Sequence, residues 1–452
     1  MMAARPFSER GLRAAAAASL AAAGLLLAAC ARVDGGGTAA PPAPAPPARP
    51  PGGRMVEGGT SLQPILDASP AGAVLWLAPG TYAGPVRITK ALTLWGPAAA
   101  VVRSGGSGTT VQVLSDSVAL LGFSVDGSGR RADLLDGAVF VRGSDVRVEG
   151  LHIRDALFGI SVEKSARVRV VDNEIIGTPE DEVGLRGDAV RFWETRDSLI
   201  EGNRVSHSRD MVVWYSPRNR VLRNMAVGGR YGTHFMYSHD SEVRGNRYLG
   251  NLVGVFIMYS RNVAVADNLM ALSDPTGGLG LGIKESGNLT VTGNRFVRNQ
   301  SGVYLDTSPL QRGDSNVFAR NTFAFCEAGV AFHSSESRNA FRENDFTGNR
   351  MPVRVEGGGD ATGVAWERNY FDDYQGYDLD GDGTGDVPYE ARSLSGQLAS
   401  AHEELAFFRG TPALGLLDAA SRFLPLLTPK LLFADAAPRM SPRAAREAPG
   451  AR

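Results

Sequence analysis

From Val74 to Asn369 the chain reads as short runs in which apolar and polar residues alternate, such as Gly302-Val303-Tyr304-Leu305-Asp306 and Asn294-Arg295-Phe296-Val297, divided by turn residues. A period of two over a few residues is the pattern of half-buried strands, and no helical spacing interrupts it. An Asn follows a strand at Asn173, Asn203, Asn224, Asn246, Asn268, Asn294, Asn321, Asn344 and Asn369, an average spacing of about 24.5 residues. Gly96, Gly122 and Gly150 hold the equivalent place in earlier copies. Repeats of this length stack as a solenoid, so the predicted fold is all-β, a parallel β-helix with one coil per repeat. The recurring Asn is expected in a left-handed turn conformation, its amide bonded to the Asn of the next coil. Five residues further on, a second inward column reads Asn251, Asn299, Cys326 and Asn349, which makes Cys326 a buried thiol.

Two stretches are copies of one strand: Gly232-Thr233-His234-Phe235-Met236-Tyr237-Ser238-His239 and Gly254-Val255-Phe256-Ile257-Met258-Tyr259-Ser260. Aligned on Gly and Tyr-Ser, they set Thr233, Phe235, Val255 and Ile257 toward the core and His234, Met236, Phe256 and Met258 outward. Extended to neighbouring repeats, one outward column reads Glu163, Phe192, Trp214, Met236, Met258, Lys284, Asp306 and His333, and the other places Val190, Val212, His234, Phe256 and Tyr304. Its apolar middle marks a contact surface with Phe192, Trp214 and Phe256 facing a partner. Coils stack about 4.8 Å apart, so Met236 and Met258 are predicted to converge on one ion with His234 beside them; thioether and imidazole ligands suit Cu(I). His239, in the turn beyond the strand, is a fourth candidate ligand. A plain protein-docking face is the alternative for the same residues. Met211 falls in the inward column as core, and His207 and His333 read as surface histidines.

The ends differ in composition. Residues 1–29 carry Arg5, Arg10 and Arg13 ahead of an Ala/Leu run, the pattern of an export signal too short to span a bilayer. Its close, Leu27-Ala28-Ala29-Cys30, resembles a bacterial lipobox, by which Cys30 would be lipidated and hold the chain to a membrane. Residues 30–58, rich in Pro, Ala and Gly, predict a disordered tether. The solenoid is expected over 59–392, opening on a short helix capped by Thr60 or Ser61 and running through Asp67. Residues 393–434 space apolar side chains as a helix does, among them Leu405, Phe408, Leu416 and Leu424, and predict a helical cap or partner-docking segment; 435–452 read as a disordered tail. Between these lies Asp378-Leu379-Asp380-Gly381-Asp382-Gly383-Thr384-Gly385-Asp386, whose alternating carboxylates match the first half of a Ca²⁺ loop, with Asp378, Asp380, Asp382 and Asp386 as candidate ligands. Tyr389 stands where a bidentate Glu belongs, so a turn held by Asx hydrogen bonds is the alternative.

A formal charge of −1 gives no electrostatic case for nucleic acid. The chain has 2 cysteines, and acylation of Cys30 leaves Cys326 without a disulfide partner. A rival reading is an enzyme of the polysaccharide lyase or epimerase kind, with His239, Asp240 and Arg244 in an outer groove. Such a groove needs carboxylates, cations and stacking aromatics over several coils, whereas the central columns carry thioethers and apolar rings, so no enzyme is expected. A metal-free periplasmic scaffold is the remaining alternative.

Pro79-Gly80-Thr81-Tyr82, Arg230-Tyr231-Gly232-Thr233-His234-Phe235-Met236-Tyr237-Ser238-His239-Asp240, Met258-Tyr259-Ser260-Arg261 and the stretch from Asn369-Tyr370-Phe371 to Tyr389 resemble the NosD-type maturation proteins of nitrous oxide reductase, over nearly all of 59–433. The resemblance implies a right-handed β-helix in the periplasm that works with an ABC transporter permease and ATPase to build the copper centres of nitrous oxide reductase. It implies Cu(I) as transient cargo and a copper chaperone lipoprotein as the upstream partner. Ala31 departs from the Asp that commonly follows the lipidated Cys in inner-membrane lipoproteins.

Overall fold

A strand of three residues such as Arg204–Ser206 can bury only its middle side chain, and Val205 alone of the three is buried. Such a strand is stable only when equivalent strands of neighbouring coils extend its ladder on both sides. The computed structural model describes residues 45–273, 277–357, 359–392, 398, 403–406, 413, 416–417, 420 and 429–443. It is a parallel β-helix, each coil contributing one strand to each of three sheets. The chain divides into two compact units, Met1–Phe256 with Ala271–Asp274 and Ile257–Met270 with Pro275–Arg452. In the first, Arg147–Glu149 pairs with Arg169–Val171, His152–Arg154 with Glu174–Ile176, and Gly137–Val141 with Phe158–Glu163, all parallel. The second repeats the scheme in Thr290–Thr292 with Asn316–Ala319, Arg295–Val297 with Thr322–Ala324, and Leu279–Lys284 with Ser301–Asp306.

The Asn column is the predicted ladder. In the first unit the Oδ1 of Asn203 accepts the backbone N–H of Asn173 at 3.0 Å and its Nδ2–H at 2.8 Å, and Asn224 does the same for Asn203. In the second unit the ladder runs Asn268, Asn294, Asn321, Asn344, Asn369. One detail differs from expectation: the left-handed conformation belongs to the residue before each Asn, such as Asp172, Arg223, Arg320 and Glu343. That frees the Asn side chain to turn inward, where its amide saturates a buried corner. The repeat glycine has a different cause. A Cβ at Gly232 would lie 2.2 Å from the Tyr248 ring and 2.5 Å from the Gly254 carbonyl oxygen, and one at Gly302 would lie 2.8 Å from the Phe323 ring and 2.5 Å from the Gly329 carbonyl oxygen, so core rings and the backbone of the next coil together exclude it. In the second unit those rings stack from coil to coil, Phe296 on Phe323 at 5.0 Å and Phe323 on Phe346 at 4.7 Å.

Both ends correct the sequence-based boundaries. Order begins before residue 59: Arg54–Val56 is a strand paired with Ala73–Leu77, and the preceding proline-rich segment accepts hydrogen bonds from Trp76 at the Pro50 carbonyl and from Trp95 at the Pro47 carbonyl, both 3.0 Å. Proline suits this role because an extended strip without N–H donors offers carbonyls to indole N–H groups. The cap helix is Leu62–Ala68; Ser61 makes no side-chain cap bond, and Thr60 bonds back to the Glu57 carbonyl. Gln63 donates to the Arg87 carbonyl and accepts the Arg87 N–H, closing the outermost strand Val86–Ile88.

At the other end the tail from 435 is built in rather than disordered as far as residue 443. Leu431–Asp435 pairs antiparallel with Tyr389–Arg392, and the carboxylate of Asp435 accepts the N–H and Nδ2–H of Asn369 at 2.8 and 2.9 Å, ending the ladder. Arg439 and Arg443 both clamp Asp345. Of the predicted helical segment 393–434, the described residues hold the short helix Glu403–Ala406 and helical residues at 398, 413, 416–417 and 420, while its last part belongs to this strand; the rest lies outside the described residues, as do Cys30 and the signal.

Candidate metal site

The strand Tyr231–Met236 points Thr233 and Phe235 into the coil, both wholly buried, and His234 and Met236 the other way. Thr233 is fixed by a 2.8 Å bond between its hydroxyl and Tyr248. Met236 pairs in register with Trp214, and Trp214 with Trp193. Phe192 is therefore not part of the outer surface. It pairs with Val162 and Val213 and is wholly buried, and Trp193 takes the outward place. The one-residue error arises because this coil has Ala189, not Gly, opposite Gly159: the Gly159 neighbour Ile160 donates to the Ala189 carbonyl, no glycine marks the strand start, and starting the strand at Asp188 instead of Ala189 slips the register by one.

His234 also departs from expectation. It faces the outer side, yet is only 6% exposed, because Trp214, Tyr231 and Phe256 enclose its ring at centroid distances of 5.3, 4.8 and 5.9 Å. A bulge between Asp210 and Val212 of the preceding strand and Tyr231 and His234 explains the lid: one extra residue reverses the alternation, so Tyr231 lands beside His234 although they stand three positions apart. Tyr231 is held by Asp210, which accepts its N–H at 3.0 Å and binds the Arg230 guanidinium through both oxygens; that guanidinium lies 4.5 Å over the Tyr231 ring. Burial pushes the His234 imidazole down to about 4, well below the ordinary histidine value. Trp214 Nε1–H donates to His234 Nδ1 at 3.2 Å, and since an indole N–H can only donate, the neutral ring carries its proton on Nε2. Trp193 and Asp210 were not singled out in the sequence, and Arg230 and Tyr231 stood only within the family motif, with no site role; only an alignment that admitted Ala189 and the bulge would have found them.

Met236 is half-buried at the strand end. Met258 ends the strand Val253–Met258, is half-buried, and belongs to the second unit. Trp214 and Phe256 are half-buried, as a contact surface requires. His239 lies on the corner after the strand, its carbonyl accepting the Arg218 N–H at 2.9 Å and the Ser241 hydroxyl at 3.0 Å. Met211 is core at 1% exposure. His207 is half-buried on a left-handed corner, where burial lowers its imidazole, and the exposed His333 bonds the Tyr304 hydroxyl at 3.1 Å. Cys326 is buried in the inward column, with its N–H on Asn349 Oδ1 at 3.0 Å and its thiol pushed up to about 12 by burial.

His239 and Asp240 sit on a corner, while Arg244 lies on the strand Glu242–Arg244 and is bound to Glu242 at 2.7 Å. Of the acidic loop, Asp378, Asp380 and Asp382 bring ligand oxygens within 4.8 Å of one another, but each also accepts a backbone N–H, from Gly381 and Gly383, Asp382, and Thr384 respectively. These bonds, that from Gly383 first, hold the Asp378 carboxyl below its usual range. Asp386 turns to the Leu379 N–H at 2.7 Å. Three of the four predicted oxygens thus converge, with the fourth bracing the turn.

Comparison with known proteins sets this geometry in context. The family profile described as periplasmic copper-binding protein (NosD) matches residues 176–376, a span that takes in His234, Met236, His239 and Met258 and stops short of the acidic loop. A Pseudomonas aeruginosa protein named probable ABC transporter binding protein NosD is 31% identical over 364 residues, covering 78% of this chain and 84% of its own. The chain belongs to the NosD family. A second NosD of the same description, from Stutzerimonas stutzeri, is 25% identical over 80% of this chain and 86% of its own. Among solved structures, the A-module of the Azotobacter vinelandii mannuronan C-5 epimerase AlgE6 superposes with a TM-score of 0.52 at 15% identity, covering 69% of this chain and 96% of that one, a likeness of fold alone. The family resemblance read from the Met-Tyr-Ser strands is borne out.

Proposed function

We propose that this NosD-family chain works in the periplasm as the copper-handling partner of an ABC transporter, in the assembly of the copper centres of nitrous oxide reductase, and that the Trp214–His234–Met236 cluster is where Cu(I) is received. The copper-binding and transporter-binding names of its relatives support the first part. The second rests on one observation: an imidazole held neutral by burial stands two residues from a half-buried thioether on the same side of one strand. A neutral imidazole needs no deprotonation to coordinate, and imidazole with thioether suits a soft monovalent ion. The aromatic lid excludes water and larger ligands. Because Nδ1 is engaged by Trp214, coordination through it requires the indole to let go, so cargo binding and Trp214 movement are linked.

The test is anaerobic Cu(I) competition against a chromophoric chelator, followed in parallel by tryptophan fluorescence. Wild type should compete for Cu(I) and change its emission. Met236→Leu, which keeps volume and apolarity, should weaken binding tenfold or more by loss of a ligand. If Met236→Leu and His234→Ala both bind as wild type does, the cluster is a docking surface and not a copper site.

A further inference from the structure

Where the outer strands of the first unit turn the corner, four successive coils place Lys164, Glu194, Tyr215 and Tyr237 in one column, all left-handed with φ from 48 to 52°. Their backbones are stacked: Lys164 N–H donates to Trp193, Glu194 to Trp214 and Tyr215 to Met236. Between them opens a recess of about 450 Å³ lined by Lys164, Glu194, Arg196, Tyr215 and Pro217. Ala166, paired with Arg196, adds no bulk on that side.

Its cations are spare in a way their neighbours are not. On the same corner Arg167 is bidentate on Asp145 at 2.7 Å, and Arg218 binds Asp197 at 2.6 and 3.0 Å. Lys164, by contrast, has no ion pair or side-chain hydrogen bond among the described residues, and Arg196 has only a 3.5 Å approach to the Asp197 already held by Arg218. Glu194 is partly occupied by the Trp193 indole N–H at 3.2 Å. The recess therefore offers two cations and an exposed tyrosine ring. Tyr215 is 43% exposed and Tyr237 42%, large apolar rings facing water, stacked on each other at 5.2 Å. Tyr215 also packs on Trp193 at 5.1 Å, and Trp193 on Trp214, so the recess is continuous with the cluster assigned above to copper.

We propose that this recess docks a carboxylate-bearing peptide segment of a partner protein, Lys164 and Arg196 taking the carboxylates and Tyr215 packing against the segment's chain. This deepens the copper reading by naming the kind of partner that face receives. A volume of this size admits one or two side chains rather than a lone small ion, and spare cations beside exposed aromatic rings are the composition of an interface anchor. A peptide is favoured over an acidic sugar chain because Tyr215 and Tyr237 stack at 12°, each turning a face against the other, and Trp193 meets Tyr215 at 59°, so the rings do not form one flat open platform.

The experiment titrates the full chain into a fluorescein-labelled hexaglutamate peptide and reads anisotropy. Wild type should bind, more weakly as salt rises, with hexalysine failing to compete. Lys164→Glu and Arg196→Glu should each weaken binding about tenfold or more, Tyr215→Ala should weaken it, and Glu194→Gln, which keeps the indole acceptor but removes a charge, should tighten it. Circular dichroism confirms that each variant is folded. Charge reversals that bind as wild type does overturn the proposal. So does competition by hexagalacturonate stronger than by unlabelled hexaglutamate with the same variant dependence, which would make the site one for acidic polysaccharide. The copper reading is separated by crossing the assays: Lys164→Glu should keep wild-type Cu(I) competition and Met236→Leu wild-type peptide binding. Loss of copper in Met236→Leu with peptide binding indifferent to Lys164→Glu sinks the docking site alone. The reverse pattern sinks the copper site alone.

Discussion

Asp435 is a single side chain on which the last coil depends. It is wholly buried, and its carboxylate accepts four N–H groups: Asn369 N at 2.8 Å, Asn369 Nδ2 at 2.9 Å, Arg368 N at 3.2 Å and Ala437 N at 3.1 Å. Asp435→Ala removes the acceptor and leaves the two donors of Asn369, itself wholly buried, without partners. Each orphaned buried donor costs about 1–3 kcal/mol, so the change should cost about 3–5 kcal/mol. Asp435→Asn is different, because an Asn Oδ1 serves this same pair of donors one coil earlier, where Asn369 takes Asn344 N at 3.0 Å and Nδ2 at 2.9 Å. Only the weaker bonds to Arg368 and Ala437 are disturbed, about 1 kcal/mol. Coils couple to their neighbours, so the loss should be local. Amide hydrogen exchange at Asn344 and Asn369 is the sensitive assay: Asp435→Ala should speed it about a hundredfold or more, Asp435→Asn about tenfold or less. Equal protection in the two variants would refute the idea that the acceptor, rather than the packing around it, ends the ladder.

Other outcomes follow from the perturbed groups. The His234 imidazole should titrate at about 4 by NMR in the copper-free chain, and a midpoint near 6.5 would mean that the aromatic lid does not hold. Because the folded value is depressed, His234 contributes stability that is full above about 6.5 and lost as pH falls through about 4, some 3 kcal/mol in all; His234→Phe should flatten that part of the acid denaturation profile. The Cys326 thiol, pushed up to about 12, should react with a disulfide reagent only after urea is added, and fast labelling of the native chain would contradict its burial. Cys30→Ser should abolish incorporation of labelled palmitate, and unchanged labelling would remove the lipid anchor from the proposed function.

The fold was legible because its rules are local and repeat. The inward Asn that recurs from Asn173 to Asn369 and the repeat glycines such as Gly232 and Gly302 are fixed by what neighbouring strands and coils present, and the sequence shows each of them many times. The candidate site was legible only in part. Trp214, Met236 and Phe256 were placed on the correct side by alternation, but alternation fails where the pattern is broken. Ala189 in place of Gly shifted Phe192 outward on paper, while its ring is core. The bulge at Tyr231 has no sequence mark, and it is what turns His234 from an exposed ligand into a covered one. The tail was misread for another reason: residues 435–443 have the Pro, Ala and Arg content of a disordered segment, yet Asp435, Arg439 and Arg443 are anchored one by one on buried acceptors and donors that composition does not reveal.

The Asn ladder has a direction. Every Oδ1 accepts from the coil before it and every side chain waits on an acceptor from the coil after it, so within a unit each junction is chemically the same as the next. A coil could be copied or excised whole without altering any junction, as a bead is added to a string. The terminal acceptor has no such freedom. Variation in length should therefore be tolerated in the interior of the stack, while the residue that plugs its end, supplied here from 66 residues further along the chain, must be carried along unchanged in role.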